Sequence, residues 1–320
     1  MNDKIKKLLS SELAILLMLI ILCAAATVTT PVFATSRNIM SVLQRTATTG
    51  IVALGMTFVI GTGGIDLSVG GQVTIIGVLS AMMYTRGFPV PALVPFMICL
   101  GILIGLFNGV LITYLKLVPI MVTLATQLAA FGFALYLTEG RQFLIKDETF
   151  KFFGLGNILS IPTPIWIFAA CAIVAWFVLR KFTIGRKILA VGSNTRGAWY
   201  AGINVQRVTI VAYAISGLCA GISSVIMTSK LMSASASMGN GMEMEAITAV
   251  VIGGTSMSGG NGFILGTVAG ALIVTVITNW MTLANVNPYL RDVVKGAIII
   301  IALLIDNIRR GRLQKNEMAG

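Results

Sequence analysis

Few residues in this chain have side chains that could perform chemistry, and their types exclude several functions. There is no histidine among the 320 residues, which excludes an imidazole base, a histidine-ligated zinc ion and a histidine proton relay. The phosphate loop G-x-x-x-x-G-K-[ST] does not occur, so the chain cannot hydrolyse ATP by that mechanism. The cysteines lie within apolar runs and lack metal-ligand spacing; they are Cys23, Cys99, Cys171 and Cys219. We therefore expect no enzyme activity, no catalytic residue, no metal site and no cofactor in this chain.

Asp66 stands apart from the other acidic residues, which lie in tails, in loops or at the ends of apolar runs. An acid near membrane depth is costly and by default indicates a function. Asp66 also comes shortly before a predicted helix, where its carboxylate can cap free N–H groups, and Ser68 offers a second cap. We favour capping, and both roles are compatible if the capped helix lines a translocation path.

Three amide side chains within apolar runs are further candidates for lining such a path. They are Asn108, Gln127 and Asn279. Buried amides also commonly bridge helices by hydrogen bonds. For any one of the three we favour the bridging role.

The composition indicates that membrane helices hold these residues. Hydrophobic residues make up 57% of the chain and charged residues only 11%, against about 25% charged in soluble domains. A membrane helix needs about 20 apolar residues, so we predict an all-α integral membrane protein, a polytopic bundle of about ten transmembrane helices in one domain over 1–320. The predicted spans are 13–34, 47–62, 71–84, 90–114, 120–138, 164–179, 208–228, 246–255, 263–284 and 289–305. Small residues at helical spacing predict close helix packing: Gly101, Gly105, Gly109, Gly266, Gly270 and Ala271.

The net charge of +12 indicates an asymmetry between loops rather than a nucleic-acid-binding surface. Basic residues are retained on the cytoplasmic side of membrane helices. With an even number of spans both termini lie in the cytoplasm, as tails over 1–12 and 306–320, and the cytoplasmic segments then hold most of the Lys and Arg. The two long connections become an outer, periplasmic loop over 139–163 and a cytoplasmic loop over 180–207.

Two glycine-rich stretches accompany apolar runs that are shorter than a comfortable span. GGIDLSVG (63–70) follows the run 47–62, and GGTSMSGGNG (253–262) ends the run 246–255. The recurring order predicts broken, Gly-interrupted spans and a weak internal duplication with parallel halves. Irregular backbone at membrane depth survives only against protein or a water-filled cavity. Two interpretations stay open: breaks that line a path, or tight turns at the cytoplasmic face.

The cytoplasmic loop contains its own apolar positions, in TIGRKILAVGSNTRGAWYAGI (183–203). Asn194 or Thr195 can cap a short helix that carries Trp199 and Tyr200 on its surface and ends at Gly202. Such a helix could dock in the groove of a partner. An amphipathic segment lying on anionic lipid is the alternative, and from the residues alone we favour it slightly.

Three segments, by their order and spacing, resemble the ribose-type permease subunits of bacterial ABC sugar importers: VALGMTFVIGTGGIDLSVGG (52–71), GRKILAVGSNTRGAWYAGINV (185–205) and EAITAVVIGGTSMSGGNGFILGTVAGALI (245–273). The resemblance implies a membrane subunit of ten or so helices that pairs with a second permease copy, as a homo- or heterodimer. It also implies two cytoplasmic ATPase subunits, which use ATP and Mg, and an extracytoplasmic sugar-binding protein.

The resemblance further implies that the cytoplasmic loop docks the ATPase, and it raises docking above lipid contact. The ATPase-coupling residues are then Gly192, Asn194, Trp199, Tyr200, Gly202 and Ile203. Thr195, Arg196 and Gly197 stand where that family has Glu-Ala-Ala, a departure that concerns the details of docking. Candidates for docking the binding protein on the outer side are Arg141, Lys146, Glu243 and Glu245, although the two glutamates could simply be solvated.

The expected function is that of a permease in the bacterial inner membrane. It would move a ribose-like monosaccharide, or a related polar small molecule, inward by alternating access driven by the separate ATPase. The alternative is an ion-coupled secondary transporter. Such carriers usually need intramembrane carboxylates or histidines, and this chain offers Asp66, a few acids at span ends and no histidine. No partner nucleic acid is expected.

Overall fold

The computed structural model describes residues 11–317, and these contain thirteen α-helices. The predicted N-terminal tail (1–12) therefore lies almost wholly outside the described residues. In chain order the helices are α1 (Ser11–Thr29), α2 (Ser36–Gly61), α3 (Val69–Thr85), α4 (Val90–Tyr114), α5 (Pro119–Thr138), α6 (Glu148–Leu155), α7 (Thr163–Arg180), α8 (Thr183–Ser193), α9 (Thr195–Tyr200), α10 (Val205–Leu231), α11 (Met242–Ile252), α12 (Ile264–Leu283) and α13 (Pro288–Glu317).

A short 3-10 helix (Pro31–Ala34) and four two-residue strands complete the described elements. The strands are β1 (Phe143–Leu144), β2 (Asn157–Ile158), β3 (Ile161–Pro162) and β4 (Ser233–Ala234). Strand β1 pairs antiparallel with β4, and β2 pairs antiparallel with β3. The chain is thus an all-α protein, and the short strand pairs lie only in the segments that connect its helices.

Six helices in the described part of the chain are long and apolar enough to cross a membrane, namely α2, α4, α5, α7, α10 and α12. Two shorter apolar helices, α1 and α3, accompany them. The prediction of ten spans exceeds this number. Of the two other predicted spans, one corresponds to α11, which has only 11 residues, and the other to α13, whose first turns carry Arg291, Asp292 and Lys295.

Helix α2 corrects the prediction that the run 47–62 is a short span. It begins at Ser36 and has 26 residues, because the preceding segment contains neither proline nor glycine and continues the helix despite Arg37 and Arg45. The Thr35 side chain accepts a hydrogen bond from the Asn38 N–H at the start of this helix. The glycine clusters consequently do not interrupt a span. They lie between separate helices, α2 and α3 in one case and α11 and α12 in the other.

Helix α10 lies in the centre of the packing, and small residues let its neighbours approach closely. A Cβ built on Gly101 of α4 would overlap the Gly217 carbonyl oxygen of α10, and one on Gly217 would overlap the Gly101 carbonyl oxygen. The pair α11 and α12 repeats this arrangement, with Gly270 against the Ala249 carbonyl oxygen. The predicted close packing at glycines is therefore confirmed, and it follows from the absence of side-chain volume.

The predicted outer loop is folded rather than irregular. The Asp147 side chain accepts a hydrogen bond from the Phe150 N–H and caps α6, and the Phe150 ring is fully buried. The Ser229 hydroxyl near the end of α10 accepts from the Gly154 N–H. Tyr84, near the end of α3, donates to the Lys146 carbonyl. The ends of α3 and α10 are thereby joined to one folded connection.

Candidate functional site

Asp66 lies in the connection between α2 and α3, residues 62–68, and its side chain is fully buried. Its Oδ1 accepts a hydrogen bond from the Ser68 N–H at 3.0 Å and another from the Ser68 hydroxyl. Its Oδ2 accepts one from the Ser216 hydroxyl of α10 at 2.8 Å. Within residues 11–317 the carboxylate makes no ion pair, so hydroxyl and amide donors alone compensate its burial.

Ser68 extends this network to three helices. Its hydroxyl oxygen accepts from Gln72 Nε2 of α3 at 2.7 Å and from Asn108 Nδ2 of α4 at 2.8 Å. Asn108 Oδ1 in turn accepts from the Thr126 hydroxyl of α5 at 2.7 Å. The Asp66 carboxylate thus accepts from an N–H at the start of α3, as predicted, whereas the prediction of a second cap by Ser68 is wrong. Ser68 is the residue before α3, but its side chain makes no capping bond because its hydroxyl is engaged in the network.

The backbone of the same connection is held from two further helices. The Ile65 carbonyl accepts from the Tyr213 hydroxyl of α10 at 3.2 Å and from the Thr123 hydroxyl of α5 at 3.3 Å. Together with the side-chain bonds, this fixes the connection to α3, α4, α5 and α10. We call this set of hydrogen bonds the Asp66 network.

Sequence reasoning placed Asp66, Ser68 and Asn108 among the candidates, and the Asp66 network brings these three together. It missed the partners Gln72, Thr126, Tyr213 and Ser216. The available signal was that each is a polar residue inside an apolar run. That signal does not reveal which distant residue each one faces.

The second glycine-rich connection, residues 253–263, contains no charged side chain. Its backbone has positive φ at Gly254, Gly259 and Gly260, a region that glycine enters without cost. The Thr255 hydroxyl accepts from the Phe263 N–H at 3.1 Å. The Gly260 N–H donates to the Gly61 carbonyl at the end of α2, at 3.1 Å. The two glycine-rich connections are thus in direct contact.

Helix α8, in the loop predicted to be cytoplasmic, meets both connections at Gly192. A Cβ on Gly192 would overlap the Gly61 carbonyl oxygen and would lie 2.5 Å from the Gly260 nitrogen. Gly259 lies against Gly63 in the same place, since its Cβ would be 2.7 Å from the Gly63 nitrogen. The packing of backbone against backbone therefore joins α8 to the end of α2 and to the connection 253–263.

Helix α9 follows α8 and presents two aromatic side chains. Asn194 Oδ1 accepts from the Gly197 N–H at 2.8 Å and caps α9, and Gly202 has φ +78° just after the helix. This start and this end are as predicted. Trp199 and Tyr200 are 65% and 80% exposed, with ring centroids 5.0 Å apart.

A concavity of about 670 Å³ adjoins these rings. It is lined by Thr195, Arg196, Trp199, Tyr200, Gly202, Ile203, Asn204, Val205 and Gln206. Exposed aromatic rings beside a concavity are suited to protein contact. The coupling role of the predicted residues in this loop stays a prediction.

The other two amide candidates lie outside the Asp66 network. Asn279 and Asn38 donate to each other's carbonyl oxygens, at 2.9 and 3.1 Å, so Asn279 bridges α12 and α2 as we favoured. Gln127 is buried on α5, and its Cα would be 3.1 Å from a Cβ on Gly71.

Of the four candidates for outer docking, the two basic residues are exposed and the two glutamates are not. Arg141 and Lys146 lie on the surface of the folded connection. Glu243 is only 7% exposed, so the alternative that it is solvated is wrong. Glu245 forms an ion pair with Lys295 of α13 at 3.1 Å and accepts from the Thr49 hydroxyl at 3.2 Å. The reason is that α11 begins inside the packing, beside Gly70, rather than at a surface.

Comparisons with known proteins give consistent findings over nearly the whole chain. The family described as "Branched-chain amino acid transport system / permease component" matches residues 38–303. The ribose import permease protein of Haemophilus influenzae is 37% identical over 293 residues, which cover 90% of this chain and 91% of the relative. That of Bacillus subtilis is 39% identical over 295 residues, 90% of each chain. The galactofuranose transporter permease protein of Escherichia coli K12 is 38% identical over 271 residues, 84% of this chain and 80% of the relative. No solved structure matches.

Proposed function

Because the chain belongs to the family of branched-chain amino acid transport permease components, we propose that it is the permease subunit of an ATP-binding-cassette importer whose cargo is a monosaccharide. The observation that carries the cargo class is the identity of 37–39% to ribose import permeases over nine-tenths of the chain. These relatives favour a sugar over an amino acid, whichever cargo the family description names. The family consists of transport permeases rather than enzymes, and we assign the chain no catalytic activity, metal or cofactor of its own.

The energy for transport then comes from a partner. A permease of this kind works with a cytoplasmic ATPase and a sugar-binding protein, and ATP and Mg would bind to the ATPase rather than to this chain. We place ATPase docking on α9, with Trp199 and Tyr200 entering a groove of the partner and Gly202 and Ile203 bordering the contact. Arg141 and Lys146, both exposed, remain the candidates for contact with the binding protein. A second permease copy would complete the path.

The packing around α8 offers a route from the ATPase to the membrane helices. Movement of α9 would reach α8 through Asn194, the one residue between them, and Gly192 of α8 packs against Gly61 and Gly260. The Asp66 network links the same region to α3, α4, α5 and α10. For ATP to drive transport, its binding must favour one permease state through contacts that differ between the two states. The α8–α9 pair is the element that would make these contacts.

We further propose a topology for the membrane. The chain would form one permease domain with ten membrane-embedded segments: the six long helices, the shorter α1 and α3, and α11 and α13. Both termini would face the cytoplasm of a bacterial cell, from the inner membrane. The contact of both glycine-rich connections with α8 supports their location near the cytoplasmic face, as turns. The matching order of α2 with α3 and of α11 with α12 supports the weak duplication.

Reconstitution tests this function. The chain is placed in proteoliposomes with its ATPase and binding protein, and uptake of radiolabelled ribose, arabinose and galactose is measured with and without ATP. We expect ATP-dependent uptake of at least one sugar, which continues when the proton gradient is collapsed. Uphill uptake by the permease alone, driven by a proton or sodium gradient, would contradict the proposal and favour a secondary transporter.

A charge on the docking surface separates coupling from insertion. We expect Trp199→Glu to abolish ATP-driven uptake while the protein still inserts into the membrane, because a carboxylate cannot enter an apolar groove without a partner. Trp166→Glu is a control with a partly exposed tryptophan far from this loop in the chain. Undiminished uptake by Trp199→Glu would remove α9 from the mechanism.

A further inference from the structure

Residues 235–241, SASMGNG, form a non-helical segment that runs along α3 into the interior of the molecule. We call it the inward segment. It starts next to β4, where Ala234 pairs with Phe143 of the folded outer connection. Further on, a Cβ on Gly77 would lie 2.5 Å from the Met238 Cε. The Gly239 N–H then donates to the Thr74 hydroxyl at 2.9 Å, and the Gly239 backbone packs against Gly70.

The register along α3 gives the depth of this segment. Helix α3 ends at Thr85, close to the outer connection, and Gly70 is almost at its other end. At 1.5 Å per residue, Gly70 lies about 22 Å along the helix from Thr85. The hydrocarbon core of a bilayer is about 30 Å thick. The inward segment therefore descends well past the level of the outer surface. Backbone of this kind is compatible with a membrane only against protein or water.

The inward segment has one packed face and one open face. Met238 and Gly239 are buried against α3, whereas Ser237 and Asn240 are exposed. Within residues 11–317 the side chains of Ser237 and Asn240 form no hydrogen bond. Polar side chains without partners do not face lipid at this depth. The open face must therefore border water, a second protein surface or a polar ligand.

Glu243 supplies an independent observation at the same level. Its Oε2 is buried without a hydrogen-bond partner in the described part of the chain and lies close to Gly70; Glu243 follows Asn240 by three residues in the chain. A buried acceptor without a donor costs free energy. The level of Gly70 and Gly239 therefore holds a carboxylate oxygen that lacks a proton donor in the described part of the chain.

We propose that the inward segment is a wall of the translocation path, and that Ser237 and Asn240 contact hydroxyl groups of the sugar in transit. A neutral polyol presents hydroxyls that both donate and accept, and the amide of Asn240 and the hydroxyl of Ser237 also do both. Neither side chain carries a charge, which matches a neutral cargo rather than an anion. This inference rests on the proposed function, whose cargo class it uses.

Transport kinetics test the sugar contact. Asn240→Ala and Ser237→Ala are reconstituted with the ATPase and binding protein, and uptake is measured with the sugar of the ribose, arabinose and galactose panel that the wild type transports. We expect the rate of uptake per ATP hydrolysed to fall about 2- to 10-fold in each variant, the effect of one lost hydrogen bond. Asn157→Ala, an exposed asparagine of β2, should match the wild type. If both inward-segment variants take up as much sugar per ATP hydrolysed as the wild type, the proposal is overturned.

Thiol accessibility tests the wall without any sugar. Asn240→Cys and Leu128→Cys are treated in proteoliposomes with a charged, water-soluble methanethiosulfonate, and the modified position is identified by peptide mass spectrometry. Leu128 is an exposed leucine of α5 and serves as the lipid-facing control. We expect the thiol introduced by Asn240→Cys to react and the thiol introduced by Leu128→Cys not to react.

Each outcome of the labelling decides a separate point. An unreactive thiol in the Asn240→Cys variant would show that no water reaches the segment and would overturn the proposal, even if the wild type transports sugar. If the wild type transports none of the panel sugars but the thiol of Asn240→Cys reacts, the proposed function fails and the water-lined wall stands.

Discussion

The two glycine-rich connections that meet at α8 are built in opposite ways. The connection 62–68 contains the buried carboxylate of Asp66. Side chains of α3, α4, α5 and α10 donate hydrogen bonds to this connection, at Ser68, Ile65 and Asp66. Residues 253–263 have no charged side chain, and their bond to α2 joins backbone to backbone, from Gly260 to Gly61. A similar glycine pattern in the sequence therefore corresponds to two different structures.

The difference suggests that the place where both connections meet α8 combines a rigid connection with a flexible one. A buried network that ties one connection to four helices by hydrogen bonds holds one geometry, because any displacement breaks several bonds at once. Glycines that only touch backbone impose no such restraint and allow large changes in φ and ψ. We expect the first connection to move as a body with α10, and the second to adjust when α8 moves.

Asp66→Ala should produce the largest effect. It removes the acceptor of three buried donors, the Ser68 N–H and the hydroxyls of Ser68 and Ser216, and we expect the free energy of unfolding to fall by about 3 kcal/mol or more. Unfolding in mixed detergent micelles measures this. Asp292→Ala is the control, because its side chain is 77% exposed and its loss should cost under about 0.5 kcal/mol. Equal losses in the two variants would mean that the Asp66 network is not a rigid centre.

Gly192→Ala should come next, with its main effect on transport. The new Cβ would meet the Gly61 carbonyl oxygen, and such overpacking costs about 1–3 kcal/mol unless the backbones separate. We expect ATP-driven uptake to be lost because α8 no longer rests on both connections. Gly132→Ala is matched to it, since Gly132 is also helical but nothing lies within 4 Å of its Cβ. Normal uptake by Gly192→Ala would show that coupling takes another route.

Local signals in the sequence predicted much of this arrangement. Asn194 caps α9, and Gly202 ends the turn after it, because both features depend on a few neighbouring residues. Glycine spacing predicted the close approach of α4 and α10, since a missing side chain acts wherever the helices meet. The prediction of an integral membrane protein followed from the hydropathy summed over the whole chain. That sum does not depend on any single contact.

Features set by distant contacts were not predictable in this way. Arg37 and Arg45 lower the hydropathy of residues 36–46, so the predicted span begins at 47, although the helix begins at Ser36. The inward segment has the composition of a surface loop, and only its packing on Gly70 and Thr74 reveals its depth. The partners of Asp66 lie up to 150 residues away. A single sequence contains no signal for such pairs.

Tyr213→Phe should test a single bond of the rigid connection. It removes one of two hydroxyl donors to the Ile65 carbonyl, and the Thr123 hydroxyl remains. We expect a loss of about 1 kcal/mol in the free energy of unfolding. Tyr84→Phe loses a similar bond to the Lys146 carbonyl, but in an exposed location, and should lose less. A larger loss for Tyr84→Phe would place more stability in the folded connection 139–163 than in the Asp66 network.

The double variant Ser256→Ala, Ser258→Ala should have the smallest effect. These hydroxyls of the second connection bond only to each other in the described part of the chain, at 3.0 Å and in an exposed location. Because the bond of the second connection to α2 joins backbone to backbone and the two serine hydroxyls take no part in it, we expect the free energy of unfolding to change by under about 0.5 kcal/mol. Uptake should also be unchanged. Ser216→Ala, which removes one buried hydroxyl from the Asp66 network, is the matched comparison and should lower the free energy of unfolding by more.

If the double variant unfolds more easily than Ser216→Ala, side chains hold both connections and the contrast between them disappears. If it folds normally but loses uptake, the two hydroxyls act in transport, and the second connection is more than a flexible contact.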